Sequence, residues 1–214
     1  MNGSKKYPVA EKFAAPQGEG LYTGTPMKFI RFVGCSVGKG VCTACDTDFD
    51  KQYEERGGGM FTAAELLEWA QGYEHVCFTG GEPLDRNLVE LIETFEVNNI
   101  FSHIETSGTK RPLWLTKEML RKVWLTVSPK PGWLPEMIEL ADEVKVIYSG
   151  LGDGPGWPTL VNALEWAKDT IVYLQPRNDT FDIDRSQMDQ VTSLVVANPT
   201  LRLSTQLHKV LGTR

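Results

Sequence analysis

Seven short stretches rich in β-branched, aliphatic and aromatic residues recur along this chain, each bounded by Gly, Pro or polar residues: Met27 to Phe32, His75 to Phe78, Ile100 to Glu105, Val123 to Val127, Glu143 to Ile147, Thr170 to Leu174 and Leu201 to Ser204. Segments of helical spacing lie between several of them. Thr62-Ala63-Ala64-Glu65 has the pattern of a capping box and predicts a helix to about Ala70, while Leu88, Leu91, Ile92 and Phe95 share one helical face. Two further helices are predicted over Trp157 to Lys168 and Arg185 to Val196. Strands alternating with helices require crossover connections, and hence a mainly parallel sheet covered by helices on at least one face. A complete eight-stranded barrel usually needs about 250 residues. The 214 residues here fit an α/β fold of a smaller kind, a shortened, open, partial (β/α) barrel.

No repeat, low-complexity tract or shift in composition marks a boundary, so residues 1–214 are read as a single domain. With 41% hydrophobic residues, a chain of this length buries roughly 70% of its unfolded surface and needs neither a disulfide nor a structural metal. A bound metal would therefore serve function. The 22 Lys and Arg against 28 Asp and Glu give a net charge of −6, which repels a nucleic-acid backbone. The basic start is followed by no apolar core of signal-peptide length, and no apolar run reaches the roughly 18 residues of a spanning helix. A cytoplasmic protein without a nucleic-acid or membrane partner is expected.

In folds of this class the chemistry sits at the carboxyl ends of the strands. Cys35 follows the first predicted strand, Thr79-Gly80-Gly81-Glu82-Pro83 the second, Thr106-Ser107-Gly108 the third and Ser128-Pro129-Lys130 the fourth. Three of the four cysteines, Cys35, Cys42 and Cys45, fall within eleven residues, forming a loop, 35–45, that suits metal ligation. Zinc would want a fourth ligand from Cys77 or a distant His. An iron–sulfur cluster held by three thiolates would leave one iron open to a small molecule. Thiols that are merely close in sequence are the third reading.

Around this loop stand Pro16-Gln17-Gly18-Glu19-Gly20, Gly24-Thr25-Pro26, Phe29-Ile30-Arg31-Phe32-Val33-Gly34-Cys35, Cys45-Asp46-Thr47, Glu105-Thr106-Ser107-Gly108, Gln175-Pro176 and Gln206-Leu207-His208-Lys209. In this order, with the Gly-Gly-Glu-Pro and Ser-Pro-Lys segments, they resemble the 7-carboxy-7-deazaguanine synthases, a family within the radical S-adenosylmethionine (AdoMet, SAM) enzymes, and imply a barrel of the radical SAM type. Two features depart from the usual pattern. The first cysteine gap is six residues where three is commonest in radical SAM enzymes, and Ala44 stands where an aromatic residue usually precedes the last cysteine.

The resemblance implies a radical ring contraction of 6-carboxy-5,6,7,8-tetrahydropterin to 7-carboxy-7-deazaguanine, with release of ammonia, in queuosine-type 7-deazapurine biosynthesis. It implies a [4Fe–4S] cluster on Cys35, Cys42 and Cys45, AdoMet as a regenerated cofactor, and Mg2+ on Thr47. The AdoMet site would be lined by Ala44, Cys45, Asp46, Gly81, Ser128, Pro129, Lys130, Gln175, Pro176, Arg177 and Asn178. Substrate would meet Pro16, Gln17, Gly18, Arg31, Thr79 and the carboxylate of Arg214. The chemistry of the residues agrees at several points: a guanidinium such as Arg31 can pair bidentately with a carboxylate, and Gly80 and Gly81 lack side chains where main chain could approach a ligand. An external electron donor and a homodimer are also implied. A glycyl-radical activating enzyme shares the cysteines and Gly-Gly-Glu-Pro, and a non-catalytic zinc module is the reading from another class.

Other residues have plainer readings. Glu82 before Pro83 orients a loop. Cys77 is a small buried hydrophobe, and His75 and His103 are structural. Gly57-Gly58-Gly59 and the segment from Gly150 to Pro158 are loops, and Trp114, Trp124, Trp133, Trp157 and Trp166 belong to core or interface.

Overall fold

The computed structural model describes residues 4–42, 45, 47–148, 154–178 and 183–211. All seven predicted strands form and lie side by side as the parallel part of one sheet: β2 (Pro26–Phe32), β4 (His75–Gly80), β5 (Phe101–Thr106), β6 (Val123–Val127), β7 (Glu143–Tyr148), β8 (Ile171–Pro176) and β9 (Leu201–Leu203). Two strands the sequence reading lacked, β1 (Tyr7–Pro16) and β3 (Gly59–Phe61), extend the β2 edge in antiparallel fashion, giving the order β3-β1-β2-β4-β5-β6-β7-β8-β9. β1 begins and ends near proline, is rich in alanine and carries a bulge between Val9 and Glu11, so it shows no period of two.

The helices are α1 (Ala63–Ala70), α2 (Val89–Glu96), α3 (Lys117–Leu120), α4 (Pro135–Leu140), α5 (Leu160–Trp166), α6 (Arg185–Ala197) and α7 (Leu207–Leu211). The predicted capping box is formed: the Thr62 hydroxyl accepts from Glu65 N at 3.2 Å while the Glu65 carboxylate accepts from Thr62 N at 2.7 Å. α5 starts later than expected because Thr159 and Asn162 make a second box that fixes its first turn. α3, α4 and α7 have only 4, 6 and 5 residues, too short to impose a readable period.

Parallel strands buried on both faces usually read as unbroken apolar runs. Here they alternate, because the two faces have different tasks. Ile30, Phe32, Val76, Phe78, Ile104, Leu125, Val127, Val144, Val146, Val172 and Leu174 are buried in the main core cluster with Leu66, Leu91, Ile92, Phe95, Met137, Ala163 and Val191 from the helices. The alternate positions face inward. They are largely apolar or aromatic toward the amino ends of the strands (Met27, Phe29, His75, Cys77, His103, Trp124) and polar farther along them (Arg31, Thr79, Glu105, Thr126, Lys145, Gln175), with Glu143 a polar exception at the start of β7. The sheet is open rather than closed into a barrel. The loop between β1 and β2 spans the gap: Gly18 O accepts from Leu207 N at 3.1 Å, and Leu21 N donates to Glu143 at 2.9 Å.

The inner floor is an aromatic layer. Tyr22 stands edge-on to His103 and Trp124, with ring centroids 4.6 and 5.1 Å away, and His75 Nδ1 lies 3.0 Å from His103 Nε2. The histidines thus partner each other. Burial, reinforced by neighbouring His75, pushes His103 down to about 3 from 6.5. The unfolded chain takes up this proton first, so the His103 contribution is complete above pH 6.5 and is lost as pH falls toward 3. We expect a stability loss of about 1.4 kcal/mol per pH unit below that point from this residue alone. Urea titrations at pH 7 and pH 5 should show a smaller drop in His103→Phe than in the unsubstituted protein; equal drops would contradict the assignment.

Candidate active site

The Cys35 loop leaves β2 through a firmly held start. Gly34 N donates to Phe49 O at 2.7 Å, Gly34 O accepts from Glu82 N at 3.1 Å, and Ser36 N donates to the Asp85 carboxylate at 2.8 Å. Arg86 donates to Val33 O and, at 3.4 Å, to Glu82 O. The segment after β4 is therefore stitched to the base of the cysteine loop. Gly80 and Gly81 explain how closely. A Cβ on Gly81 would lie 1.7 Å from Gly34 O, and one on Gly80, where φ is +118°, would lie 2.3 Å from Phe32 N. On the side where a side chain would project, the space these glycines clear is filled by the protein's own chain, while both glycines also line the site's cavity.

Glu82 is fully buried and acts as the knot between loops. Its Oε1 accepts from Leu84 N at 3.0 Å and Thr106 Oγ1 at 2.6 Å; its Oε2 accepts from Ser107 N at 2.9 Å and from Ser107 Oγ. The next loop joins in the same way, Ser128 N donating to Thr106 O at 2.8 Å and Lys130 N to Ser107 O at 3.2 Å. Successive loops at the carboxyl ends of the parallel strands thus form one rim.

Inside the rim lies a cavity of about 490 Å³. Cys35, Cys42 and Cys45 line it, and all four cysteines of the chain are free thiols. Burial raises the Cys35 thiol above its ordinary range, and burial raises that of Cys42 with Lys130 opposing. Cys77 is elsewhere, packed with Met27 and Phe29 on the inner floor. The donor set facing the cavity is therefore three cysteines, which suits an iron–sulfur cluster with one open iron. Among the described residues, no three His, Cys, Asp or Glu side chains are gathered closely enough to hold a metal ion as they stand.

Arg31 also lines the cavity. Its Nε pairs with Glu11 Oε1 at 2.8 Å, its Nη1 donates to Thr47 Oγ1 at 3.2 Å, and its guanidinium carbon lies 5.8 Å from the Phe13 ring centroid. Gln17 is buried with its amide engaged within the protein: Oε1 accepts from Gly18 N at 2.8 Å and Glu19 N at 3.2 Å, and Nε2 donates to Glu105 at 3.0 Å. Thr79 Oγ1 donates to the other Glu105 oxygen at 3.1 Å. Lys130 reaches back to Ser128 O and Oγ at 2.9 and 2.7 Å, and burial lowers it to about 8.

No family model matches the chain. Individual relatives do. It is 33% identical over 236 residues to the 7-carboxy-7-deazaguanine synthase of Escherichia coli (strain K12), covering 97% of this chain and 99% of that one. It is 35% identical over 214 residues to the protein of the same name from Synechocystis sp. (strain ATCC 27184 / PCC 6803 / Kazusa), covering 97% and 94%. The chain belongs to the 7-carboxy-7-deazaguanine synthase family. The crystal structure of QueE from Escherichia coli superposes with a TM-score of 0.74 at 29% identity over 95% of each chain, so the open α/β architecture is also that of a solved structure.

The residues expected from resemblance to these synthases are largely gathered at one place. Pro16, Gln17, Arg31, Cys35, Cys42, Cys45, Thr47, Thr79, Gly81, Ser128, Lys130, Gln175, Pro176, Arg177 and Asn178 all line the cavity. Gly18 and Pro129 are buried just behind its wall. Ala44, Asp46 and Arg214 lie outside the described residues, as do residues 150–153 of the predicted loop from Gly150 to Pro158. Asn178 is also a brace, its Oδ1 accepting from Asp184 N at 2.9 Å and its carbonyl from Lys209 Nζ at 3.1 Å. Sequence reasoning did not single out Glu11, Glu19, Glu105 or Lys145 as site residues, although all four line the cavity. The inward parity of β5 and β7, on which charged residues interrupt apolar strands, was the available signal.

Proposed function

We propose that this member of the synthase family converts 6-carboxy-5,6,7,8-tetrahydropterin to 7-carboxy-7-deazaguanine with release of ammonia, in queuosine-type 7-deazapurine biosynthesis. The observation that carries this reading is the shared cavity: the three thiols and the polar group of Gln17, Arg31, Thr79 and Glu105 line one enclosed space of about 490 Å³, a size ordinary for small-molecule sites. Cys35, Cys42 and Cys45 would hold a [4Fe–4S] cluster, with AdoMet between it and the substrate. When bound, that pair supplies one-electron chemistry ending in hydrogen abstraction from the pterin.

The chain's own residues place and enclose the reactants. Arg31, held by Glu11, meets the substrate carboxylate; Gln17 and Thr79 keep Glu105 fixed beside the ring. Gln175, Arg177 and Asn178 on one side and Ser128 and Lys130 on the other border the AdoMet space. Thr47 would offer a hydroxyl oxygen to Mg2+, a hard ion that suits oxygen ligands and needs few from the protein. An external donor provides the electron, and the working form is a homodimer in the cytoplasm. Among the described residues, no helix is long and apolar enough to cross a membrane.

The test is anaerobic incubation of iron- and sulfide-reconstituted protein with reductant, AdoMet, Mg2+ and the pterin, followed by mass spectrometry. 7-Carboxy-7-deazaguanine formed with little net loss of AdoMet is the expected result. Accumulation of 5'-deoxyadenosine without that product would overturn the substrate assignment, and zinc in place of iron in protein purified without air would overturn the cofactor.

A further inference from the structure

An ion pair inside the cavity has no part in the account above. Lys145 stands on the inward face of β7 and meets the Glu19 carboxylate across the open side of the sheet, the two side chains being only 9% and 14% exposed. The other Glu19 oxygen accepts from Gln175 Nε2 at 3.1 Å, and Gln175 Oε1 in turn accepts from Ser204 Oγ at 2.9 Å. The Glu19 backbone is fixed as well, its N–H donating to Gln17 Oε1 at 3.2 Å.

Removing two ions from water costs about as much as their attraction returns, so a buried pair of this kind is a poor stabilising device compared with apolar residues of similar volume. An apolar pair, however, could not present a charged acceptor to a ligand. A carboxylate has four lone-pair sites, and the bonds from Lys145, Gln175 and Gln206 use three of them, leaving one for a ligand. The geometry points to Lys145 as a positioning residue, which holds the Glu19 carboxylate in one orientation as the acceptor for an N–H donor of a bound aminopyrimidinone ring. This inference rests on the pterin reading of the cavity.

Burial opposes charge on Glu19, but Lys145, with smaller help from His208 and a hydrogen bond from Gln206, holds the carboxyl below its ordinary range. The other groups facing the pair are His208 and Gln206 near α7, Gln175 on β8, Lys130 at the rim, and Glu105 and Glu143 on β5 and β7. Without Lys145, burial at Glu19 is opposed only by the weaker contributions of His208 and Gln206, and the carboxyl moves upward.

The experiment measures pterin affinity of reconstituted protein by anaerobic calorimetry without reductant, at pH 6 and pH 8, with thermal melts alongside. The unsubstituted protein should bind almost equally at the two values. Lys145→Met should bind about tenfold or more weakly at pH 6 and recover part of the loss at pH 8, whereas Lys145→Arg stays within about threefold. Lys145→Met/Glu19→Gln removes both charges of the pair together, so neither member is left without the other, and this variant should fold even where the single one does not. Its affinity should be as weak as that of Glu19→Gln and independent of pH. Normal affinity in Lys145→Met or in the double variant would overturn the inference, as would a loss equal at both pH values that merely follows a fall in Tm. Failure of the unsubstituted protein to bind the pterin would instead remove the functional reading, and this inference with it.

Discussion

Gly81→Ala should lower Tm by roughly 6–15 °C, the shift that a cost of about 3–4 kcal/mol produces in a domain of this size. The added methyl would sit 1.7 Å from Gly34 O and 3.0 Å from Cys35 Cβ, and the first of these is main chain that cannot rotate away. Relief requires parting the two segments joined by Gly81 N to Phe32 O at 3.2 Å and by Glu82 N to Gly34 O at 3.1 Å. Since Cys35 follows Gly34 directly, the same movement displaces a thiol proposed as a cluster ligand. Thermal melts of the metal-free protein and iron content after reconstitution should therefore fall together. A variant with an unchanged melt would show that the packing of these two loops is looser than described.

Cys42→Ala should behave in the opposite way. The thiol lies on the cavity wall in a turn closed by Cys42 N to Gly38 O at 3.2 Å and Cys45 N to Gly38-loop neighbour Cys42 O at 3.0 Å, bonds that alanine retains. The metal-free fold should melt within about 0.5 kcal/mol of the original, as surface and rim substitutions usually do. Iron loading and formation of the deazaguanine product should both fall to background, because a cluster held by three thiolates loses an obligatory ligand. Retained iron with normal visible absorption would remove Cys42 from the ligand set.

The parallel half of the fold was legible because each strand carries its own apolar alternate positions and its own turn residues, as Val123 to Val127 and Thr170 to Leu174 show. β1 and β3 were not: β3 is an edge strand of three residues, and β1, which β3 covers only over Tyr7 to Val9, carries alanines and a bulge instead of a period of two. The cavity was legible to the extent that its residues sit in loops with unusual composition: the cysteines, Thr79-Gly80-Gly81-Glu82-Pro83 and Ser128-Pro129-Lys130. Its inner wall was harder to read. Glu105 and Lys145 look like ordinary strand charges until the sheet curls and brings them opposite Gln17 and Glu19, a juxtaposition that depends on long-range geometry. At Gly81 the sequence could not show the close packing against Gly34, because a missing side chain does not say which neighbouring chain lies beside it.

The loop that bridges the open side of the sheet has a consequence for timing. Its bonds reach from Leu21 to Glu143, from Glu19 to Gln175 and from Gly18 to Leu207, and the first two span 122 and 156 residues of chain. Contacts so distant form only after the entropy of closing the intervening chain has been met. On the ribosome, β1, β2 and the cysteine loop emerge early, yet the wall they face is among the last parts made. Until synthesis has passed residue 207, the thiols belong to an unfinished vessel, so enclosure of the cavity must follow translation of the segment that carries Leu207.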